Sequence, residues 1–190
     1  MPDSRLAPLI APHPIRMIAS LPLAIIPDVV NPRSVLFRSL IADPGTQVPL
    51  DRDRIFAREL EIPSGGGVGT ARAIAKAYGV FATDGHELGL RSETLAALQA
   101  PAVPPTRGFR DECFKGEVRF SLGFMKSSAV WPFGSPRSFG APGAGGSLGF
   151  ADPSTGIGYG YVTSRIGTKQ DGDPRDVALR QAMPLPSSAA

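Results

Sequence analysis

Polar and apolar positions alternate most regularly near the end of the chain. From residue 157 onward, Ile157, Tyr159, Tyr161 and Thr163 fall on one side of an extended strand, and Gly158, Gly160 and Val162 on the other. The stretch before it, Ser138 to Gly149, is interrupted by Gly140, Gly143, Gly145, Gly146 and Gly149, a density that marks bends or close backbone approach. Between the two lies Asp152-Pro153-Ser154-Thr155-Gly156, which is turn chemistry. The pattern predicts a β-hairpin whose glycine face admits a helix or another backbone at short range.

A second period-two run sets Val118, Phe120, Leu122 and Phe124 against Arg119, Ser121, Gly123 and Met125, and predicts one half-buried strand. Helical spacing is clearest at Ala71, Ile74, Ala75, Tyr78, Phe81 and Ala82, in a helix opened by Ser64 to Thr70 and ended by Asp84-Gly85. Ser92 is expected to cap a helix through Leu95 and Leu98. Asn31-Pro32 reads as the start of a short helix through Val35, Leu36 and Leu40. Asp51 to Glu61 reads as a solvated helical face with Ile55, Phe56 and Leu60 turned inward. Asp173-Pro174 opens the last helix, with Asp176 near its positive end, and Pro184 stops it. Residues 101–105 and 126–137 read as loops. The fold class that follows is α+β: an antiparallel sheet with flanking helices.

Composition narrows the chemistry. A chain of 190 residues with 42% hydrophobic content can bury one core, and Gly 22 with Pro 20 disfavours a helical bundle. The net charge of +3 comes from basic residues interleaved with acids, which argues against nucleic acid as a partner. Cys113 is the only cysteine, so neither an internal disulfide nor a thiolate metal cluster can form. His13 and His86 stand at no ligand spacing, so no metal and no cofactor are expected. Residues 1–30 form a proline-rich N-terminal segment, expected as coil. Its apolar part, Met17 to Ile26, is too short to span a membrane and is broken by Pro22. Asp3 and a mixed leader do not fit a secretion signal, leaving the cytoplasm as the default compartment.

Gly145-Gly146-Ser147-Leu148-Gly149 matches the Gly-x-Ser-x-Gly spacing of a nucleophile elbow. An elbow needs a helix after the serine and a histidine further along the chain. Here a strand is expected after it, and no histidine follows His86. Ser147 is therefore read as a strand residue. The glycine-rich turn at 64–70 lacks the Lys-Ser/Thr of a phosphate loop.

PGAGGSLGFADP followed by GIGYGYV resembles the C-terminal sheet of β-lactamase-related serine hydrolases: class C β-lactamases, D-alanyl-D-alanine peptidases and esterases. DGDPRDVALRQA is similar to the family's final helix, and EIPSGGGVGTARAIAKAYGVFATDG and LRSETLAAL extend the likeness upstream. The resemblance implies a partial serine β-lactamase/transpeptidase-like fold over residues 31–183, followed by a disordered tail at 184–190. It sets Ala141-Pro142-Gly143-Ala144 on the family's third box, where a Lys or His, one spacer and a Gly line the site. Ala141 stands where the basic residue belongs. The substrate-binding positions implied are Ala141, Gly143 and Ala144, with backbone N–H groups of the last two facing an oxyanion.

No residue is assigned a catalytic role. No serine in the chain has a lysine three positions later, and no tyrosine begins a Tyr-x-Asn, so both of the family's other boxes are absent. The family carries those boxes N-terminal to everything matched here, which implies a truncated product, a split subunit or a degenerate paralogue. The implied function is a hydrolase homologue of the acyl ester or amide class that is inactive alone. The alternative is a non-catalytic binding or regulatory module that keeps the cleft wall. Exposed apolar surface, and association with a complementary chain or a second copy, are the further expectations.

Overall fold

The computed structural model describes residues 7–42, 67–143, 145–169 and 172–183. It divides into two compact units, one holding the chain up to Val68 with Arg110–Gly116 and Ser164–Ile166, the other holding the rest. The segment 51–61 lies outside the described residues. No helix of the described residues is long and apolar enough to cross a membrane.

In the first unit, residues 14–19 and 23–30 of the proline-rich segment are helical where coil was expected. Helix α1 (Pro14–Ala19) begins with Pro14, and a short 3₁₀ turn (Leu23–Ile25) leads into α2 (Ile26–Val30), with Pro27 in its first turn. Proline costs a helix nothing there, because first-turn N–H groups have no partner within the helix. Asn31 does not cap the next helical stretch. Its Oδ1 accepts the Arg33 N–H at 3.0 Å, while Ser34 Oγ accepts the Phe37 N–H at 3.0 Å and so caps residues 35–41. The last five residues of that stretch, Phe37–Ile41, are wound as a π-helix. Lys115 Nζ pairs with Asp28 at 2.8 Å, and Ile10 bridges Arg165 in parallel.

The second unit is built on five antiparallel strands in sequence order: β1 (Phe120–Ser121), β2 (Phe124–Lys126), β3 (Phe139–Pro142), β4 (Leu148–Asp152) and β5 (Ile157–Tyr161). The run from Val118 to Met125 is not one strand. Leu122 and Gly123 both take left-handed backbone (φ 51° and 83°) and close a two-residue hairpin turn between β1 and β2. Leucine is no turn former, so its apolar side chain kept the alternation in step and hid the reversal.

The β4–β5 hairpin follows the expectation, with Leu148 opposite Tyr161 and Asp152 opposite Ile157. Helix α3 (Ala71–Ala82) lies directly on its glycine face, capped by Thr70, whose hydroxyl accepts the Ala73 N–H at 3.2 Å. A Cβ on Gly158 would stand 2.1 Å from Gly79 N, and one on Gly160 would stand 2.4 Å from Ala71 O. Helix backbone therefore rests on strand backbone. Helix α4 (Ser92–Gln99) starts one residue earlier than expected: Ser92 is its first residue, and Arg91 caps it without a side-chain bond.

Two apolar clusters occupy opposite faces of the sheet. Ala82, Leu98, Phe139 and Ala151 gather on the helix side with Tyr78, Phe81 and Phe124. Met125, Phe133, Leu148 and Phe150 gather on the other, with Trp131 and Tyr159. Helix α5 (Pro174–Ala182) is pinned to that second face. The Tyr159 hydroxyl donates to buried Asp176 at 2.8 Å, and Arg180 Nε donates to the same carboxylate at 2.9 Å. Lys126 ends β2 rather than opening a loop; its buried ammonium donates to the Leu98 carbonyl and sits over the Phe139 ring.

Candidate functional site

The third-box block spans the end of β3 and the turn into β4. Gly149, opposite Ala141 in the ladder, is the reason the site has its shape. A Cβ there would lie 2.4 Å from the Tyr78 ring, so the bare glycine opens the slot that the ring fills. The Tyr78 hydroxyl thereby reaches the Ala141 backbone. Burial holds the Tyr78 hydroxyl above its ordinary pKa, and the Ala141 backbone hydrogen bond works against that shift. Ala141 itself is exposed, and its methyl group carries neither charge nor hydrogen-bonding capacity.

The turn that follows is tight. The Gly143 N–H donates to the Ser147 carbonyl at 2.7 Å, and the Gly146 N–H to the Gly143 carbonyl at 3.1 Å. Gly145 and Gly146 supply left-handed backbone (φ 88° and 102°), and a Cβ on Gly146 would run into the Asp173 side chain at 2.7 Å. Asp173 caps α5 by accepting the Arg175 N–H at 2.9 Å, and the Arg175 guanidinium closes on it. That guanidinium bond, outweighing burial, holds the Asp173 carboxyl below the usual range.

Of the implied substrate-binding residues, Ala141 and Gly143 stand together at this strand end, and Ala144 lies outside the described residues. The Gly143 N–H is engaged within the protein, and Pro142 has none. Ser147 follows the turn and leads straight into β4, not into a helix. It is half-buried, and its hydroxyl lies 3.5 Å from the Thr163 N–H, which it accepts.

Several basic and phenolic groups of the described residues are engaged away from this turn. Lys126 bonds Leu98, Lys115 pairs with Asp28, and Lys76 faces Glu87 at 3.9 Å. Tyr159 donates to Asp176, and His13 Nδ1 accepts the Ile15 N–H. Sequence reasoning missed the Tyr78–Ala141 contact. The available signal was a tyrosine on the helix that faces a glycine-bearing strand.

The family model described as Beta-lactamase matches residues 24–183. The protein of Mycobacterium tuberculosis described as "Esterase/beta-lactamase LipL" is 32% identical over 136 residues, which are 70% of this chain and 29% of LipL. A penicillin-binding protein homologue from Caulobacter crescentus matches with TM-score 0.52 and 34% identity, over 63% of this chain and 32% of its own. EstA from Arthrobacter nitroguajacolicus Rue61a matches with TM-score 0.65 and 27% identity, over 94% of this chain and 46% of EstA. The chain thus spans less than half the length of each of these relatives. Five antiparallel strands with their helices reproduce part of that fold. The chain belongs to the beta-lactamase family of serine hydrolases.

Proposed function

We propose that this chain forms the third-box wall of an acyl ester or amide hydrolase cleft, lined by Ala141, Gly143 and Ala144, and carries no nucleophile of its own. One observation carries the reading: in the whole sequence no serine has a lysine three residues on, and Ala141 replaces the basic residue of the box. A serine hydroxyl without a partner base is barely ionised at neutral pH and attacks poorly. Even a modest enzyme lowers its barrier by about 8 kcal/mol, whereas one oxyanion donor supplies about 3 to 4 kcal/mol. The Gly143 N–H, spent on Ser147, does not supply even that.

The test is turnover of a p-nitrophenyl ester and of a chromogenic β-lactam by purified chain. The expected rate equals that of buffer, for wild type and for Ser147→Ala alike. Hydrolysis by the wild type that Ser147→Ala abolishes would overturn the reading. The exposed, uncharged Ala141 methyl favours a second reading, a module that binds an acyl or peptide group without turning it over. Calorimetric titration with an acylated dipeptide reads it directly: heat that is lost in Ala141→Asp supports it, and no heat removes it.

A further inference from the structure

Asp173 does more than cap a helix. It is 3% exposed, and its carboxylate lies in a seat left open by two glycines: a Cβ on Gly146 or on Gly167 would stand 2.7 Å from Asp173 Oδ2. Both glycines are tied to the third-box turn, Gly146 N–H donating to the Gly143 carbonyl at 3.1 Å and Gly167 N–H to the Gly145 carbonyl at 2.8 Å. Gly145 and Gly146 hold left-handed backbone, so the turn can hinge there. Arg175 closes the seat from α5, its Nε donating to Oδ1 at 2.8 Å and a terminal nitrogen to Oδ2 at 2.5 Å.

Ionisable groups around the seat are few. The turn contributes Gly143, Ala144, Gly145, Gly146 and Ser147, and Gly167 has no side chain. Among the described residues the charge acting on Asp173 is Arg175, on which Tyr161 of β5 acts in turn. Asp176, further along α5, is turned to Tyr159 and Arg180.

Two effects oppose each other at Asp173. The Arg175 guanidinium favours the carboxylate and is the larger; burial favours the neutral acid. The balance holds the seated carboxyl below the ordinary range. Lifted into water, an exposed pair of this kind is worth little, and the carboxyl returns to its ordinary value. The seated state therefore binds a proton more weakly than the lifted state, and acid favours the lifted one.

We infer that Asp173 is an acid-released clasp: seated as a carboxylate against Gly146 and Gly167 it holds the third-box turn closed, and on protonation the turn and the N-terminus of α5 part. The hold is full above the ordinary carboxylate range and is lost as pH falls through the lowered native value. The clasp concerns the turn's own conformation and is independent of what the wall binds.

The experiment follows amide exchange by NMR in the full chain from about pH 6 to about pH 3, each rate divided by the intrinsic rate at that pH, with Trp131 fluorescence reporting on the sheet. Protection of the Gly146 and Gly167 N–H groups should fall at least about threefold in the wild type, while the amides of β4 and β5 and the Trp131 signal hold. Arg175→Gln gives the sharpest contrast, because that side chain is nearly half exposed and its removal leaves burial as the larger effect. Its turn should be less protected at neutral pH and gain protection on acidification, opposite in sign to the wild type. Asp173→Asn should show no pH dependence over this range. Turn amides that stay protected until the Trp131 signal is lost would overturn the inference. So would an Arg175→Gln turn that loosens in acid as the wild type does, or an Asp173→Asn turn that follows the wild-type profile.

Discussion

Substituting Gly158 tests the closest contact in the sheet unit. The three atoms nearest an added Cβ are Gly79 N at 2.1 Å, Ala75 O at 2.4 Å and Gly79 Cα at 2.4 Å, all of them backbone. No side chain can rotate away, so α3 must rise from β5. The nearest approach is about 1.3 Å short of ordinary contact, and a gap of 0.5 to 1 Å already forfeits roughly a quarter to a half of each dispersion contact. Ile74 and Tyr78, which fill the slot over Gly149, would lose that share of their contacts with the sheet. The expected cost of Gly158→Ala is about 3 kcal/mol, at the top of the range for overpacking.

Gly79→Ala is the control of opposite sign. It lies within α3 with nothing inside 4 Å of its added Cβ. Its helix-propensity gain is about 0.5 to 1 kcal/mol. Trp131 packs on the Met125, Phe133, Leu148 and Phe150 cluster, so its fluorescence during urea unfolding reports on this sheet. With a slope of about 2 kcal/mol per molar, the Gly158→Ala midpoint should fall by about 1.5 M and the Gly79→Ala midpoint should rise by a few tenths. An unchanged Gly158→Ala midpoint, or an equal fall in both variants, would refute the backbone-on-backbone account.

Tyr159→Phe removes one of the two donors that the described residues give buried Asp176, the other being Arg180, and should cost about 2 kcal/mol by the same urea assay. Leu122→Asn should stabilise by about 1 kcal/mol, because asparagine tolerates the left-handed backbone that leucine pays to hold. Asp173→Asn keeps a capping side chain but loses the charge that Arg175 holds. The native Asp173 carboxyl titrates below its unfolded counterpart, so its contribution is full above the ordinary carboxylate range and disappears as pH falls through the lowered native value. The variant should therefore be about 1 kcal/mol less stable at neutral pH and show a flatter acid limb in urea midpoint against pH.

The hairpin and the two best helices were legible because several local signals agreed. At β4–β5 the alternation, the Asp-Pro-Ser-Thr-Gly turn and the paired glycines all pointed one way, as did Thr70 with its apolar spacing and Asp173 with Pro174. What escaped depended on one residue acting against its type. Leu122 turns a hairpin though it is apolar, and Ser34 rather than Asn31 caps the stretch after α2. The prolines of the first thirty residues read as breakers, yet Pro14 and Pro27 sit in the first turns that tolerate them.

At the candidate site, the alanine at position 141, where the resemblance implies a basic residue, was visible in sequence because it is a matter of residue identity. The engagement of the Gly143 N–H was not, since it follows from how Ser147 closes the turn in space. The same holds for Asp176. Sequence places it near a helix N-terminus, while the structure makes it the buried acceptor that ties α5 to β5 through Tyr159.

The most direct test of the central claim is covalent. Purified chain is incubated with an activated acyl ester and with a β-lactam, quenched in acid, and weighed intact by mass spectrometry. The unmodified mass is the result predicted for a wall that lacks its attacking group. A single acyl adduct, formed in stoichiometric amount and missing from one serine variant, would contradict it.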